Sequence, residues 1–358
     1  MYHRFNNSIR GPLTALALYL IIGMAASAEQ DVAKAFREVC AEKTAKAEDA
    51  MTIAGSDGWL FLTNELRHVG VGCFWGEIAA KVSKATKPQD ADPLPAILDF
   101  KRQLDALGIE LILVPVPPKA IIYPDKLAAS VAAPAAGKIP DRLDAVHQEF
   151  YKLLRDKGVN VLDLTDDFLA NRLTENGSLY CRQDSHWSGL ACNLAAKRIA
   201  EIIRKEGWYE GAKRAKFEPS DVSVQISGDL WNTLKEAARP ERETLKLRMI
   251  RASGGDPVMP DKNSPIILLG DSHNLVFQAG GDMHASGAGL ADQLAYELGI
   301  AVELQGVRGS GATPARINLY RRGSAEPGYF AKKKVLVWCF SAREFTESQG
   351  WRLVPVTK

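Results

Sequence analysis

Five short apolar runs, separated by stretches with helical spacing, constrain this chain more than anything else in it. They are residues 109–116, 159–164, 265–269, 301–304 and 335–340. All five read as strands, 109–116 and 265–269 as strands buried in a parallel sheet. Helices are expected between them at 96–107, stopped by Gly108, at 141–157, closed by Gly158, and near 290–298 and 314–322. A further helix runs from Gly189 to about Lys205, capped by Ser188, with Leu190, Leu194, Ile199, Ile202 and Ile203 on its apolar side. Strands alternating with helices imply an α/β fold, a mainly parallel sheet with helices on both faces. In such sheets sites form at the carboxyl ends of the strands.

Around this frame, residues 29–50 read as a surface helix and 55–62 as a turn followed by a short strand. Residues 83–95, with Pro88, Pro93 and Pro95, read as a loop, as do the Ala/Pro-rich residues 128–140, expected over the site face. Residues 206–262 are polar and irregular, with weak strand signals near 245–250, and are expected to be an insertion. No internal repeat is visible. The reading is one catalytic domain over 29–358.

The first 28 residues carry a different signal. Arg4 and Arg10 precede the apolar stretch 13–24, and Ala26-Ser27-Ala28 is a small-x-small cleavage site. This implies a cleaved export signal and a periplasmic protein, with an uncleaved anchor as the alternative; the apolar stretch is short against the roughly 20 residues a spanning helix needs. Residues 1–28 hold no acidic residue, so their removal lowers the formal charge of +2 by two, to zero. A neutral chain without a basic tail gives no ground for nucleic-acid binding. The five cysteines are Cys40, Cys73, Cys181, Cys192 and Cys339. In an oxidising compartment one or two disulfides are expected among Cys40, Cys73, Cys181 and Cys192, with the pairing open; a bridge from Cys181 or Cys192 to Cys40 or Cys73 would tie the N-terminal segment to the site, and Cys339 reads as a buried thiol inside its apolar run. The absence of Cys-x-x-Cys argues against a zinc ribbon or a thioredoxin motif.

Two motifs carry chemistry. Gly270-Asp271-Ser272-His273 follows the run 265–269, where a tight turn would lift Ser272 off the sheet edge. Asp184-Ser185-His186-Trp187 lies 86 residues earlier, from His186 to Ser272. A serine hydroxyl is a poor nucleophile without an adjacent base, and that base needs a third group to fix its tautomer. Ser272, His186 and Asp184 supply all three. The bland alternative for Asp271 or Ser272 is a helix cap. Asp184/His186, Asp271/His273 and Asp282/His284 also form three Asp-x-His pairs with oxygen and imidazole ligands suited to zinc or manganese. No established metal spacing is present and Ser272 would be idle, so neither metal nor cofactor is expected, and His273 and His284 read as supporting or rim residues. Arg308 and Gly309, in the Gly-rich stretch 308–313, are candidates for an oxyanion amide or a carboxylate clamp. Lys119 and Tyr123 follow the first long strand and are candidates to contact an anionic or sugar substrate. Trp59, Trp75 and Trp187 read as core rather than as sugar platforms.

The segments GSDGWLFL (55–62), PVPPKAIIYPD (115–125), DSHWS (184–188), LLGDSH (268–273) and VLVWCFSARE (335–344) resemble the periplasmic alginate O-acetyltransferase family, over roughly residues 50–350. That resemblance implies an SGNH-hydrolase-like α/β/α sandwich with a permuted motif order, Asp/His ahead of Ser, where ordinary SGNH hydrolases have Ser first. It implies Ser272 as nucleophile, His186 as base and Asp184 as orienting carboxylate. It also implies acetylation of hydroxyls on an exported polysaccharide, with acetyl groups supplied by a membrane-bound O-acyltransferase, within an exopolysaccharide secretion complex. No Gly-x-Asn-Asp block occurs, so the third oxyanion donor of SGNH sites is unassigned, with Arg308 and Gly309 as candidates. A carbohydrate acetylesterase of the same fold, and a non-catalytic polysaccharide-binding or assembly protein, are the alternatives.

Overall fold

A computed structural model of the chain describes residues 31–132 and 138–358. The expected export signal and part of the 128–140 segment lie outside the described residues. Helix α1 (residues 31–46) leads into a hairpin of β1 (Thr52–Ala54) and β2 (Leu60–Leu62), then α2 (Thr63–Gly70), α3 (Pro93–Ala106) and β3 (Glu110–Val116). The chain continues through α4 (Ala145–Asp156), β4 (Asn160–Val161), α5 (Gly189–Ile203), β5 (Phe217–Gln225), α6 (Asp229–Thr233) and β6 (Thr244–Ala252). It ends with β7 (Ile266–Gly270), α7 (Leu290–Leu298), β8 (Glu303–Gly306), α8 (Thr313–Ala325) and β9 (Val335–Ser341).

Five strands form one all-parallel sheet in the order β8-β7-β9-β3-β4. Successive side chains of a strand point to opposite faces, and this alternation divides the core in two. Ile112, Val114, Leu268 and Val337 pack in one cluster with residues of α1, α2, α5 and α7. Leu111, Leu113, Leu269 and Trp338 pack in the other with residues of α3, α4 and α8. The result is the α/β/α sandwich expected from the apolar runs.

Several boundaries differ from the sequence reading, each for a physical reason. Helix α3 starts at Pro93, because proline is tolerated in a first turn whose N–H groups lack partners anyway. Asp92 caps it by accepting the Leu94 N–H at 2.9 Å. Part of the expected 128–140 loop is helical, in the segment Pro124–Ala132. Helix α1 is not a free surface helix: Ala33, Phe36 and Cys40 bury one side of it in the core. Helix α5 turns its small residues inward, with Ala191, Cys192, Ala195 and Ala196 buried while Leu190, Leu194 and Ile202 are only partly so. The expected strand 159–164 shrinks to the two residues of β4 at the sheet edge. The irregular 206–262 segment holds a nine-residue antiparallel ribbon, β5 with β6, joined through α6.

The expected disulfides are not formed. All five cysteines are free thiols; Cys73 is exposed and the other four are buried. Cys40, Cys181, Cys192 and Cys339 act as small apolar side chains in a single core cluster. Burial pushes the Cys40 thiol up to about 12.

Candidate active site

Strand β7 ends against β9 so closely that a side chain at Gly270 has no room: a Cβ there would lie 1.6 Å from the Cys339 carbonyl oxygen. The chain then turns sharply, and two side chains fasten the turn to β9. Asp271 accepts the Ser341 N–H at 2.7 Å and the His273 N–H at 2.9 Å. The Asn274 amide donates to the Cys339 carbonyl at 2.7 Å. Asp271 is therefore the cap of the 3-10 turn Ser272–Asn274, and Ser272 is its first residue, with an N–H that has no acceptor within the turn. Cap and candidate nucleophile are adjacent residues, not rival readings.

The second motif reaches this turn from the loop before α5. The loop is pinned by a Tyr180–Trp187 bridge and by the Ser188 N–H, which donates to the Leu179 carbonyl at 2.8 Å. The Trp187 indole donates to the His273 carbonyl at 3.0 Å and ties the two motifs together. His186 Nδ1 lies 2.7 Å from Asp184 Oδ1, and His186 Nε2 lies 2.7 Å from Ser272 Oγ. With Asp184 taking the Nδ1 proton, Nε2 is free to accept from the serine hydroxyl.

Asp184 is held on every side. Oδ1 also accepts the His186 N–H at 2.9 Å, while Oδ2 accepts the Asp229 N–H at 2.8 Å and the His284 Nε2–H at 2.9 Å. Burial alone would raise its pKa, but the His186 ring and the hydrogen bonds from His186 and His284 hold it well below the usual carboxylate range. Burial would lower His186; the Asp184 carboxylate, with help from Asp229, more than offsets this and sets it above the ordinary imidazole value. Asp184, His186 and Asp229 bring ligand-type atoms within 4.8 Å of one another. Those atoms are engaged in the bonds above, and Asp229 accepts the Ser185 N–H at 2.7 Å and the Ser185 hydroxyl. The group is built as a hydrogen-bonded chain, and a cation would have to break it.

The triad opens into a cavity of about 720 Å³ lined by Ser272, His186, Asp229, His284, Arg308 and Gly309 among others. Gly309 and Arg308 thus lie in the wall of the cavity that Ser272 and His186 share. Arg308 forms a two-pronged ion pair with the exposed Asp282. A second cavity of about 590 Å³ shares Arg308 and Gly309 and continues past Lys87 and Arg352.

Lys119 and Tyr123 do not face substrate. Both are fully enclosed. The Lys119 ammonium donates to the carbonyls of Leu60, Arg182 and Asp184 at 2.6, 3.0 and 3.1 Å. The Tyr123 hydroxyl donates to the Arg172 carbonyl and accepts the Leu179 N–H. Trp59 and Trp187 are core, as expected, and Trp75 is half-buried. His273 pairs with Asp271 at 3.1 Å beneath the His186 ring.

Three acidic residues of the neighbourhood were not legible in the sequence. Asp229 arrives from α6, where Gly228 lies so near the Gln183 carbonyl that a Cβ would sit 2.1 Å from it. Glu65 accepts the Lys119 N–H, and burial pushes it up to about 7. Glu344 accepts the Ser310 hydroxyl at the edge of the Gly-rich loop and is raised to about 7 by burial, reinforced by Asp271. A Gly-Asp pair within a polar stretch, or a glutamate on a short helix, carries no signal that separates it from a solvated one.

Comparison with known proteins places this geometry. A family model described as "SGNH hydrolase-like domain, acetyltransferase AlgX" matches residues 52–342. A probable alginate O-acetylase AlgJ of Pseudomonas aeruginosa is 28% identical over 238 residues, covering 62% of this chain and 55% of that protein. The alginate biosynthesis protein AlgX of Pseudomonas putida is 27% identical over 284 residues, covering 72% and 54%. The chain thus spans about half the length of the curated relatives it matches. Among solved structures, the O-acetyltransferase domain of Pseudomonas putida AlgJ superposes with a TM-score of 0.60 at 21% identity, over 82% of this chain and 92% of that one. Pseudomonas aeruginosa AlgX gives 0.57 at 18% identity, over 81% and 61%. The fold agrees with these matches, and the chain belongs to the AlgX-type family of SGNH hydrolase-like acetyltransferase domains.

Proposed function

We propose that this chain is an O-acetyltransferase that passes an acetyl group through Ser272 to a hydroxyl of an exported, alginate-like polysaccharide. The observation that carries the reading is the unbroken chain Ser272–His186–Asp184, 2.7 Å at each link, opening into a cavity of about 720 Å³. Family membership supports acyl transfer as the chemistry.

In the first half-reaction His186 Nε2 takes the Ser272 proton as Oγ adds to the carbonyl carbon of an acetyl ester. The tetrahedral oxyanion is assigned to the Ser272 N–H and to an amide of the Gly309 loop; one such donor typically contributes about 10²–10³-fold. Collapse breaks the ester C–O bond, and His186 returns the proton to the leaving oxygen. In the second half-reaction a sugar hydroxyl gives its proton to His186 and attacks the acetyl-serine; the proton then goes to Ser272 Oγ. Asp184 holds the imidazole in the required tautomer throughout. By analogy with the family, the acetyl donor is a membrane-bound O-acyltransferase, and the reaction takes place in the periplasm alongside polysaccharide secretion.

The test is incubation with an activated acetyl ester, with and without an oligouronate acceptor. Acetylated sugar is expected from the wild type, and Ser272→Ala should lose transfer by roughly 10⁴-fold or more. Full transfer by Ser272→Ala would exclude the mechanism, and free acetate with no acetylated sugar would make the protein an esterase.

A further inference from the structure

One group in the site has no part in the double displacement described above. His284 is half-buried in the cavity wall, and its ring donates to the Asp184 oxygen that His186 does not use. It gets there by an unusual path. Phe277 and His284 both have left-handed backbone, φ 61° and 71°. For non-glycine residues this conformation costs of order 1–3 kcal/mol each and persists only where the surroundings enforce it. Here the loop between them is folded back on itself, with the Phe277 N–H donating to the Met283 carbonyl and the Gly280 N–H to Ala285. The strained backbone delivers one imidazole to one carboxylate.

We propose that His284 is a positioning residue of the acyl-transfer site, a second imidazole that clamps Asp184 from the side opposite His186 and tempers how strongly Asp184 supports the protonated base. Asp184 then lies between two rings, His186 on Oδ1 and His284 on Oδ2. A hydrogen bond donated to a carboxylate disperses its charge, so the clamp makes Asp184 a weaker partner for the His186 imidazolium. Removing it leaves a more basic Asp184, and His186 then keeps its proton to higher pH. Other charged or titratable groups around these rings are Asp229, Glu65, His273 and Arg343 near His186, and Asp282 near His284. All of them remain in the variants below.

The proposal rests on Ser272 as the reacting group, and its test separates the two. The rate of Ser272 modification by an aryl sulfonyl fluoride is measured against pH for the full chain, His284→Ala and His284→Gln. His284→Ala is expected to react about three- to tenfold more slowly at the plateau. Its acid limb is expected to move up by roughly half a pH unit to one unit. His284→Gln, whose amide reaches the same distance as Nε2, should restore most of both. An acid limb that stays put in His284→Ala would overturn the proposal, as would a rate loss that His284→Gln fails to recover in a folded protein. Nitrogen NMR of the histidine rings reads the same contact without any reaction: the His186 midpoint should rise in His284→Ala. If wild-type Ser272 takes no sulfonyl group while that midpoint still moves, the acyl-enzyme mechanism fails and the clamp stands.

Discussion

Lys119 illustrates how a residue can belong to a site without facing it. Its ammonium sits among three main-chain carbonyls, one of them that of Asp184, and over the faces of Trp59 and Phe61 at 5.4 Å each. Burial lowers its pKa, but the carbonyls and nearby carboxylates favour the cation. It therefore staples the β1–β2 hairpin to the Asp184 loop. Replacing it by methionine takes the ammonium from the Leu60 and Asp184 carbonyls and leaves the Arg182 carbonyl with the Leu60 N–H alone, at 2.8 Å. Lys119→Met is expected to lose about 3 kcal/mol or more of stability, read from the denaturant midpoint. An unchanged midpoint would mean that the carbonyls find other partners. The hydrogen-bonded Ser272, His186 and Asp184 were legible as a group because each sits beside a strong local pattern: Ser272 after an apolar run, Asp184 and His186 ahead of a capped helix. That Lys119 and Tyr123 are enclosed was not legible, because a position just past a strand end says which end of the sheet a residue occupies and nothing about what covers it.

At the scale of elements, the buried strands were legible and the exposed ribbon was not. A strand covered on both faces must be apolar over its buried length, as β7 is, and as β3 and β9 are apart from Glu110 and Ser341 at their ends. Strand β5 is exposed over nearly all its length and contains Pro219, so neither hydrophobicity nor alternation marks it. The ribbon nonetheless matters to the site, since the connection between its strands carries α6 and with it Asp229, whose N–H holds Asp184. The close approach at Gly228 is what brings α6 down. Gly228→Ala puts a methyl group 2.1 Å from the Gln183 carbonyl and 2.9 Å from the Asp184 Cβ, so the connection must move away. The expected outcome is a loss of about tenfold or more in Ser272 modification by the sulfonyl fluoride, with a stability cost of only about 1–3 kcal/mol. Equal losses in Gly228→Ala and in a variant cut far from the site would remove the ribbon from the mechanism.

At the scale of the molecule, the two-layer core contains a polar seam. His68 Nε2 and His147 Nε2 lie 2.8 Å apart between α2 and α4, and His68 Nδ1 bonds Thr346 beyond β9 at 2.9 Å. One ring must donate and the other accept, so at least one is neutral. Burial lowers the pKa of both, His68 well below the ordinary value with His147 and Arg67 adding to the effect, while the Asp144 and Asp163 carboxylates oppose it only in part at His147. The unfolded chain binds protons at these rings first, so their contribution to stability is whole above the unfolded value of about 6.5 and is lost as pH falls toward the folded values. The wild type should lose more melting temperature between about pH 7.5 and about pH 5 than the His68→Gln/His147→Gln variant does; equal losses would place the acid sensitivity elsewhere. The cysteines teach the complementary lesson. Their number and the expected compartment suggested bridges, but a small sulfur side chain is also a good core residue, and composition does not separate the two uses.

Strand β9, the last of the five in sequence, lies in the middle of the sheet between β7 and β3. During synthesis, therefore, the strands made earlier have no place to close: β3 and β7 each present an unpaired edge until residues 335–341 arrive. Pairings so distant in sequence form late and slowly. Assembly of this sheet is thus withheld until residues 335–341 have been made, more than 200 residues after β3, which leaves a long interval in which the chain can still be handled as an unfolded thread.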